Sequence, residues 1–118
     1  MQDVRAILKD FTSGLGGLSK SNSKPVGAFM ALQEATYGDS ALSNKVKELI
    51  SVGIGAYNRC PYCIVFHVYK AYEAGATREE ILEAAMVAAG GFGAGPSMAY
   101  VATYLQDAVN EFENEFKK

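Results

Sequence analysis

Apolar residues recur every three or four positions along most of the chain, with polar residues between them. This is the period of an α-helix with one buried face, whereas a β-strand alternates every second residue. The pattern predicts helices at 3–14, from Pro25 to a break at Tyr37–Ser40, at about 41–58, from Pro61 to Gly75, from Thr77 to Ala89, and from Pro96 to about 115. No segment alternates as a strand does, so the predicted fold class is all-α, a compact bundle of about six helices.

Local residue types support several of these boundaries. Thr77 and Glu80 match the capping box, in which each side chain binds the other residue's backbone N–H at a helix start. Gly75 suits the position just after a helix end. Residues 14–23 are rich in glycine and serine and are predicted to form a flexible loop, and residues 90–95 are predicted to form a second loop.

The fifth predicted helix is apolar on nearly all sides, since Ile81, Leu82 and Ala84–Ala89 are all apolar. A helix of this kind is expected to be buried on more than one side, and a few short neighbours cannot cover it completely. We therefore expect the chain to oligomerise through apolar helix faces, with other copies covering what one copy leaves exposed.

Length and charge narrow the class of protein. A chain of 118 residues has the size of one domain, so residues 1–118 are expected to form a single helical domain. The formal net charge is −2 and there is no basic stripe, so nucleic acid is not expected as a partner. No apolar stretch approaches the ~20 residues of a membrane span, and the N-terminus lacks the apolar segment of a signal peptide. We therefore expect a cytoplasmic protein with neither a membrane nor a nucleic acid as partner.

The chain has two cysteines, Cys60 and Cys63, separated by Pro61 and Tyr62. A secreted disulfide scaffold would have more cysteines at wider spacing. In a reducing compartment, two cysteines at this spacing indicate either a redox-active dithiol or half of a metal site.

The two cysteines are predicted to lie at the start of the fourth helix, because proline is favoured in a first helical turn. Cys60 would then be at or near the N-cap, and Cys63 and the only histidine, His67, would follow on the same helix face. The positive end of the helix and a proton-accepting histidine both favour the thiolate, which is the reactive form. Attack on a peroxide would give a sulfenic acid, which the neighbouring thiol can convert to a disulfide.

Four segments together resemble the alkyl hydroperoxidase D-like, carboxymuconolactone decarboxylase superfamily. They are Glu48-Leu49-Ile50, Cys60-Pro61-Tyr62-Cys63, His67, and Gly75-Ala76-Thr77-Arg78-Glu79-Glu80-Ile81. The resemblance covers roughly residues 25–110 and includes the complete pattern Glu-x11-Cys-x2-Cys-x3-His. It implies an all-helical subunit that assembles into homotrimers or homohexamers.

The resemblance also implies an activity. Peroxidases of this superfamily reduce hydroperoxides with the cysteine pair, so Cys63 would attack the peroxide and Cys60 would resolve the product. Glu48 and His67 would relay the proton through water. The only redox group implied is the Cys60–Cys63 disulfide, without a separate cofactor or metal, and the reductant would be a lipoyl- or thioredoxin-type protein or a small thiol. Related peroxidases often carry histidine where this chain has Tyr62, which cannot act as a base near neutral pH.

Two assignments remain open at this point. The helix N-terminus by itself favours Cys60 as the attacking sulfur, in contrast to the resemblance. Glu48 follows Lys47 and lies off the third helix's apolar stripe, so its own surroundings predict a solvated surface residue. The residues of that stripe are Val46, Leu49, Ile50, Gly53, Ile54 and Tyr57. Only the spacing shared with the superfamily places Glu48 in the site.

Three other functions compete with a peroxidase. Decarboxylation of a lactone ring is the second activity named in the superfamily, but it does not depend on a cysteine pair. A zinc site would take Cys60, Cys63 and His67 as ligands with Glu48 or water as the fourth, although structural sites usually draw ligands from two segments. The third alternative is a non-catalytic oligomeric protein of the same fold.

Overall fold

Helices form all the regular secondary structure of residues 1–117, which are the residues that the computed structural model describes. They are α1 (Val4–Ser21), α2 (Ser23–Tyr37), α3 (Asn44–Asn58), α4 (Pro61–Glu73), α5 (Arg78–Met86), α6 (Gly95–Tyr100) and α7 (Gln106–Phe112). A π-helical turn at Val87–Gly91 extends α5, and another at Val101–Leu105 joins α6 to α7. Because α6 and α7 follow each other through that turn, the described chain has six helical segments, and the all-α prediction is confirmed.

Helix α4 is at the centre of the fold. Ile64, Val65, Val68 and Ala71 are completely buried, because α1, α3 and α7 pack around this helix. Burying a valine or isoleucine side chain stabilises a fold by about 1.5–3 kcal/mol, so these contacts hold α4 in place. No helix among residues 1–117 is long and apolar enough to cross a membrane.

The capping box predicted at the start of α5 and the glycine predicted after the end of α4 are both confirmed. The Thr77 hydroxyl accepts the Glu80 N–H at 3.1 Å, and the Glu80 carboxylate accepts the Thr77 N–H at 2.8 Å. Gly75 has a φ of +94°, a conformation that residues with a Cβ rarely adopt. The chain therefore turns sharply from α4 into α5 at the position that the glycine marked.

The prediction of a flexible loop at residues 14–23 is wrong, because α1 continues without a break to Ser21. A glycine lowers helix stability by about 1 kcal/mol but does not end a helix that gains contacts on one face. Leu15 is such a contact residue, since it remains partly buried. Asn22 is the C-cap of α1, and its N–H donates to the Leu18 carbonyl at 2.8 Å. Helix α2 starts directly after Asn22.

A single copy of the chain covers the fifth helix only in part, as the expectation of oligomerisation assumed. Ile81, Ala85 and Ala88 are buried, but Met86 is 44% and Val87 is 59% exposed. The predicted loop at residues 90–95 is shorter than expected, because the π-helical turn after α5 continues to Gly91.

The apolar stripe of α3 lies on the outside of the fold. Ile50, Ile54 and Tyr57 are each about half exposed. With Val87 and Phe92 they line an apolar groove of about 590 Å³ between α3 and the α5 extension, which we call the outer groove. Exposed apolar surface of this continuity is typical of a surface that binds another molecule.

Candidate active site

The close approach of α3 to α4 builds the site, and Gly55 makes that approach possible. A Cβ on Gly55 would lie 3.3 Å from both the Cys63 Cβ and the Ile64 nitrogen, which is tighter than ordinary van der Waals contact. The Gly55 carbonyl also accepts the N–H of Cys60 at 3.2 Å. Arg59, with a φ of 53°, makes the left-handed turn between the helices. The two cysteines are thereby held against the last turns of α3.

Cys60 is the N-cap of α4, as its sequence position predicted. Its Sγ accepts the backbone N–H of Cys63 at 3.2 Å, and Pro61 occupies the first helical turn. Both cysteines are free thiols with intermediate burial. An N-cap sulfur that accepts a backbone N–H is placed where the positive end of the helix favours negative charge.

Cys63 lies in a different electrostatic environment. Burial raises the pKa of its thiol to about 11, and the adjacent Cys60 contributes in the same direction. For this sulfur, burial outweighs the helix N-terminus, so the thiol keeps its proton at neutral pH until a base removes it.

His67 follows Cys63 by one turn of α4 and is paired with Glu48. Its Nδ1 lies 2.8 Å from the Glu48 Oε1, and Glu48 is only 3% exposed. A carboxylate at this depth is stable only when it is paired or hydrogen-bonded, and the imidazole provides that partner. The structure thus pairs a carboxylate from α3 with an imidazole of α4 that lies one helical turn after the second of the two thiols.

The prediction of a solvated surface position for Glu48 is wrong, for a geometric reason. The face of α3 that packs on α4 contains Glu48, Ser51, Val52, Gly55 and Ala56, all buried. These residues recur at helical spacing, but three of them are polar or lack a side chain, so hydropathy does not mark the face as inner. The more apolar stripe faces the outer groove instead.

Two further residues of the site were missed by sequence reasoning. The Tyr37 ring, at the end of α2, stacks on the His67 ring with centroids 5.8 Å apart and an interplanar angle of 20°. The Tyr37 hydroxyl is hydrogen-bonded to the Ser51 hydroxyl, which also donates to the Lys47 carbonyl at 3.0 Å. Ser51 follows Glu48 by three residues, a spacing that puts both on one face of a helix, so its place near the site could have been predicted. No local signal linked Tyr37 to the site.

The described residues contain no group of three or more His, Cys, Asp or Glu side chains placed to hold a metal ion. Cys60 and Cys63 form a dithiol, and His67 forms a carboxylate–imidazole pair with Glu48 one helical turn after Cys63, which is an arrangement suited to proton transfer at sulfur.

Fold and site together define a small all-helical protein with a thiol pair at a helix start and a buried carboxylate–imidazole pair one turn further on. The model of the carboxymuconolactone decarboxylase family matches residues 26–107. The chain belongs to this family, and the resemblance to the alkyl hydroperoxidase D-like superfamily is confirmed.

Two uncharacterised proteins are similar to this chain in sequence. An uncharacterised protein of the Paracoccus denitrificans cox locus is 40% identical over 78 residues, which are 66% of this chain and 70% of that protein. An uncharacterised protein of Cupriavidus necator is 30% identical over 110 residues, 92% of this chain and 96% of that protein.

Two crystal structures share the fold. A carboxymuconolactone decarboxylase family protein of Legionella pneumophila in its apo form superposes with a TM-score of 0.82 at 37% identity, covering 98% of this chain and 97% of that one. A family protein of Thermotoga maritima, with a suggested involvement in the antioxidative response, gives a TM-score of 0.71 at 25% identity and covers 93% and 96%.

Proposed function

We propose that this protein is a thiol-dependent peroxidase that reduces hydroperoxides with the Cys60–Cys63 dithiol. The observation that carries the proposal is the hydrogen bond of 2.8 Å between the buried Glu48 and the partly buried His67, one helical turn after Cys63. The suggested antioxidative involvement of the Thermotoga maritima relative supports the same class of reaction. A lactone decarboxylase, the other activity of the superfamily, would have no use for the thiol pair.

In the proposed reaction, His67 is the base that Cys63 requires. The Glu48 carboxylate accepts a hydrogen bond from Nδ1–H of the neutral imidazole and thereby leaves Nε2 as the proton acceptor. The proton of the Cys63 thiol passes to Nε2 through water. This step matters because a thiol with a pKa of about 11 forms very little thiolate unaided.

The Cys63 thiolate then attacks one oxygen of the hydroperoxide. A sulfur–oxygen bond forms, the oxygen–oxygen bond breaks, and the departing alkoxide takes the proton from His67 to leave as an alcohol. The Cys60 sulfur attacks the resulting sulfenic acid, which releases water and forms the disulfide. The dithiol supplies both electrons, so each cycle requires an external reductant.

The proposed reductant is a lipoyl- or thioredoxin-type protein dithiol or a low-molecular-weight thiol. Such a thiol would attack the Cys60 sulfur of the disulfide, since Cys60 lies at the N-terminal end of α4. We place the reaction in the cytoplasm, where reductants of these types keep thiols reduced. The proposal includes no metal or organic cofactor.

A stoichiometric pulse of tert-butyl hydroperoxide on the reduced protein tests the proposal by mass spectrometry. We expect the loss of two hydrogen atoms, because a dithiol becomes a disulfide without gain of oxygen. Trypsin cleavage after Arg59 and Lys70 would release both cysteines in one peptide, to which the mass change must map. A peptide that keeps both thiols after the pulse, in folded protein, would refute the proposal.

The outer groove supports a second proposal, that the chain assembles into homotrimers or homohexamers as the resemblance implies. Apart from the Tyr57 hydroxyl, the groove is lined by apolar side chains and glycine, so a second apolar face of the same chain is a suitable partner. We expect size-exclusion chromatography with light scattering at micromolar concentration to give three or six times the 12.6 kDa of one chain. Ile54→Glu, which places a charge in the groove, is expected to reduce the mass to that of one chain. A wild-type monomer would contradict this proposal.

A further inference from the structure

We infer that Tyr37 is a positioning residue for His67, and that α2 therefore completes the site through its last residue. The structural part of this inference is independent of the proposed function, whereas its activity measurement rests on that function. Its basis is the stacking of the Tyr37 ring on the His67 ring, with centroids 5.8 Å apart and planes 20° from parallel.

Glu48 and Tyr37 restrain the imidazole in complementary ways. The 2.8 Å bond from Glu48 holds Nδ1 at one edge of the ring. A single hydrogen bond at an edge still allows the ring to tilt about that contact. The Tyr37 ring covers a face of the imidazole and opposes this tilt. The Phe66 ring also meets the imidazole edge to face, with centroids 5.2 Å apart. Together, these contacts fix the direction in which Nε2 points, and Nε2 is the atom that must meet the Cys63 proton.

Tyr37 is itself held in place from α3. Its hydroxyl is hydrogen-bonded to Ser51, which is buried one turn after Glu48 on the same helix face. Its carbonyl accepts a hydrogen bond from the Asn44 side-chain amide at 2.9 Å. The next carbonyl, that of Gly38, accepts the Lys47 ammonium at 2.6 Å. These bonds satisfy carbonyls at the end of α2 that have no partner within the helix, and they fix that end on α3.

The rest of α2 has few contacts with the fold. Val26 is its only buried residue, while Phe29 and Met30 are each nearly half exposed and Leu32 is 64% exposed. The end of α2 is thus anchored much better than its middle, and the anchored residue is the one that contacts His67. A purely structural role would not require this hydrogen-bonded residue to stack on the imidazole of the site.

The test is the tautomer of His67, measured by nitrogen-15 NMR with the imidazole neutral. His67 is the only histidine, so the spectrum reports on it alone. The wild type is expected to show the Nδ1–H form. Tyr37→Leu, which retains apolar volume but removes the ring face, is expected to show a mixture of tautomers. Tyr37→Phe retains the ring and is expected to restore the wild-type spectrum.

The same variants are compared in the rate of disulfide formation by tert-butyl hydroperoxide. We expect a decrease of roughly 10-fold for Tyr37→Leu and less than about 3-fold for Tyr37→Phe, because a misdirected base slows proton transfer. Phe29→Leu is the matched control, since it removes an aromatic ring from the same helix away from His67. Circular dichroism verifies that each variant is folded.

The outcomes separate the two proposals. A Tyr37→Leu protein with the wild-type tautomer and rate would overturn the positioning role. A wild type that forms no disulfide, combined with mixed tautomers in Tyr37→Leu, would refute the peroxidase while the role of Tyr37 stands.

Discussion

Replacing Cys63 by serine is expected to abolish hydroperoxide reduction, with a loss of about 1,000-fold or more in rate, as is typical when a nucleophile is removed. Serine keeps the size and the hydrogen-bonding capacity of the side chain but is a far weaker nucleophile, and its hydroxyl does not form a disulfide with Cys60. The measurement is the consumption of cumene hydroperoxide in the presence of a dithiol reductant.

Cys60→Ser is the matched variant, because it removes the other sulfur of the same pair. This protein is expected to react once with peroxide and then accumulate a sulfenic acid on Cys63, which a dimedone-type reagent traps. If the trapped sulfenic acid appears in Cys63→Ser and not in Cys60→Ser, the roles of the two sulfurs are reversed. Turnover retained in both single variants and in the double variant would defeat the assignment of a peroxidase activity to these two cysteines.

The structure gives physical reasons for both possible orders of attack. Cys60, as the N-cap, accepts a backbone N–H and stands at the positive end of α4. Cys63 has a pKa raised to about 11 but lies one turn from the carboxylate–imidazole pair. If the attacking thiol needs no base, the attacking residue is Cys60. If the pairing of Glu48 with His67 serves the reaction, the attacking residue is Cys63.

The parts of the site that depend on local sequence were predictable. The N-cap position of Cys60 follows from the proline after it, and the shared face of Cys63 and His67 follows from helical spacing alone. The capping box at Thr77 is local in the same way. These features involve residues a few positions apart, where the geometry of one helix determines the outcome.

The parts that depend on contacts between helices were not predictable from periodicity. On α3, the apolar stripe containing Ile50 and Ile54 faces outward, and the face with Glu48 and Gly55 packs on α4. Hydropathy alone would bury the stripe with Ile50 and Ile54 and expose the face with Glu48, which is the reverse of the structure. The reason is that close helix contact requires small residues and the site requires polar ones. The position of Glu48 came only from spacing shared with the superfamily. Tyr37 lies 30 positions before His67, and no pattern in the sequence predicts their contact.

Gly55→Val is expected to separate α3 from α4, and so to affect stability and chemistry together. The added Cβ alone would lie 3.3 Å from the Cys63 Cβ and from the Ile64 nitrogen, and valine adds two methyl groups. Overpacking of this kind costs about 1–3 kcal/mol in the free energy of unfolding. Urea denaturation of the reduced protein measures this change.

Gly16→Val is the matched control, since a Cβ at this helical glycine of α1 would meet nothing within 4 Å. Valine is a somewhat better helix former than glycine, so this variant is expected to be unchanged or stabilised by a few tenths of a kcal/mol, on the order of the propensity difference. A loss of stability similar to that of Gly55→Val would show that valine itself, and not the helix contact, is responsible.

The chemical effect of Gly55→Val follows from the positions of Glu48 and Gly55 on the same face of α3, two helical turns apart. Separating the helices at Gly55 also lengthens the path from Glu48 on α3 to His67 on α4, which are now 2.8 Å apart. We therefore expect disulfide formation by tert-butyl hydroperoxide to slow by about 10-fold or more in variant protein that is still folded. A Gly55→Val protein that is destabilised but reacts at the wild-type rate would show that the carboxylate–imidazole pair does not assist the thiols. That result would leave the buried Glu48 with a structural role only.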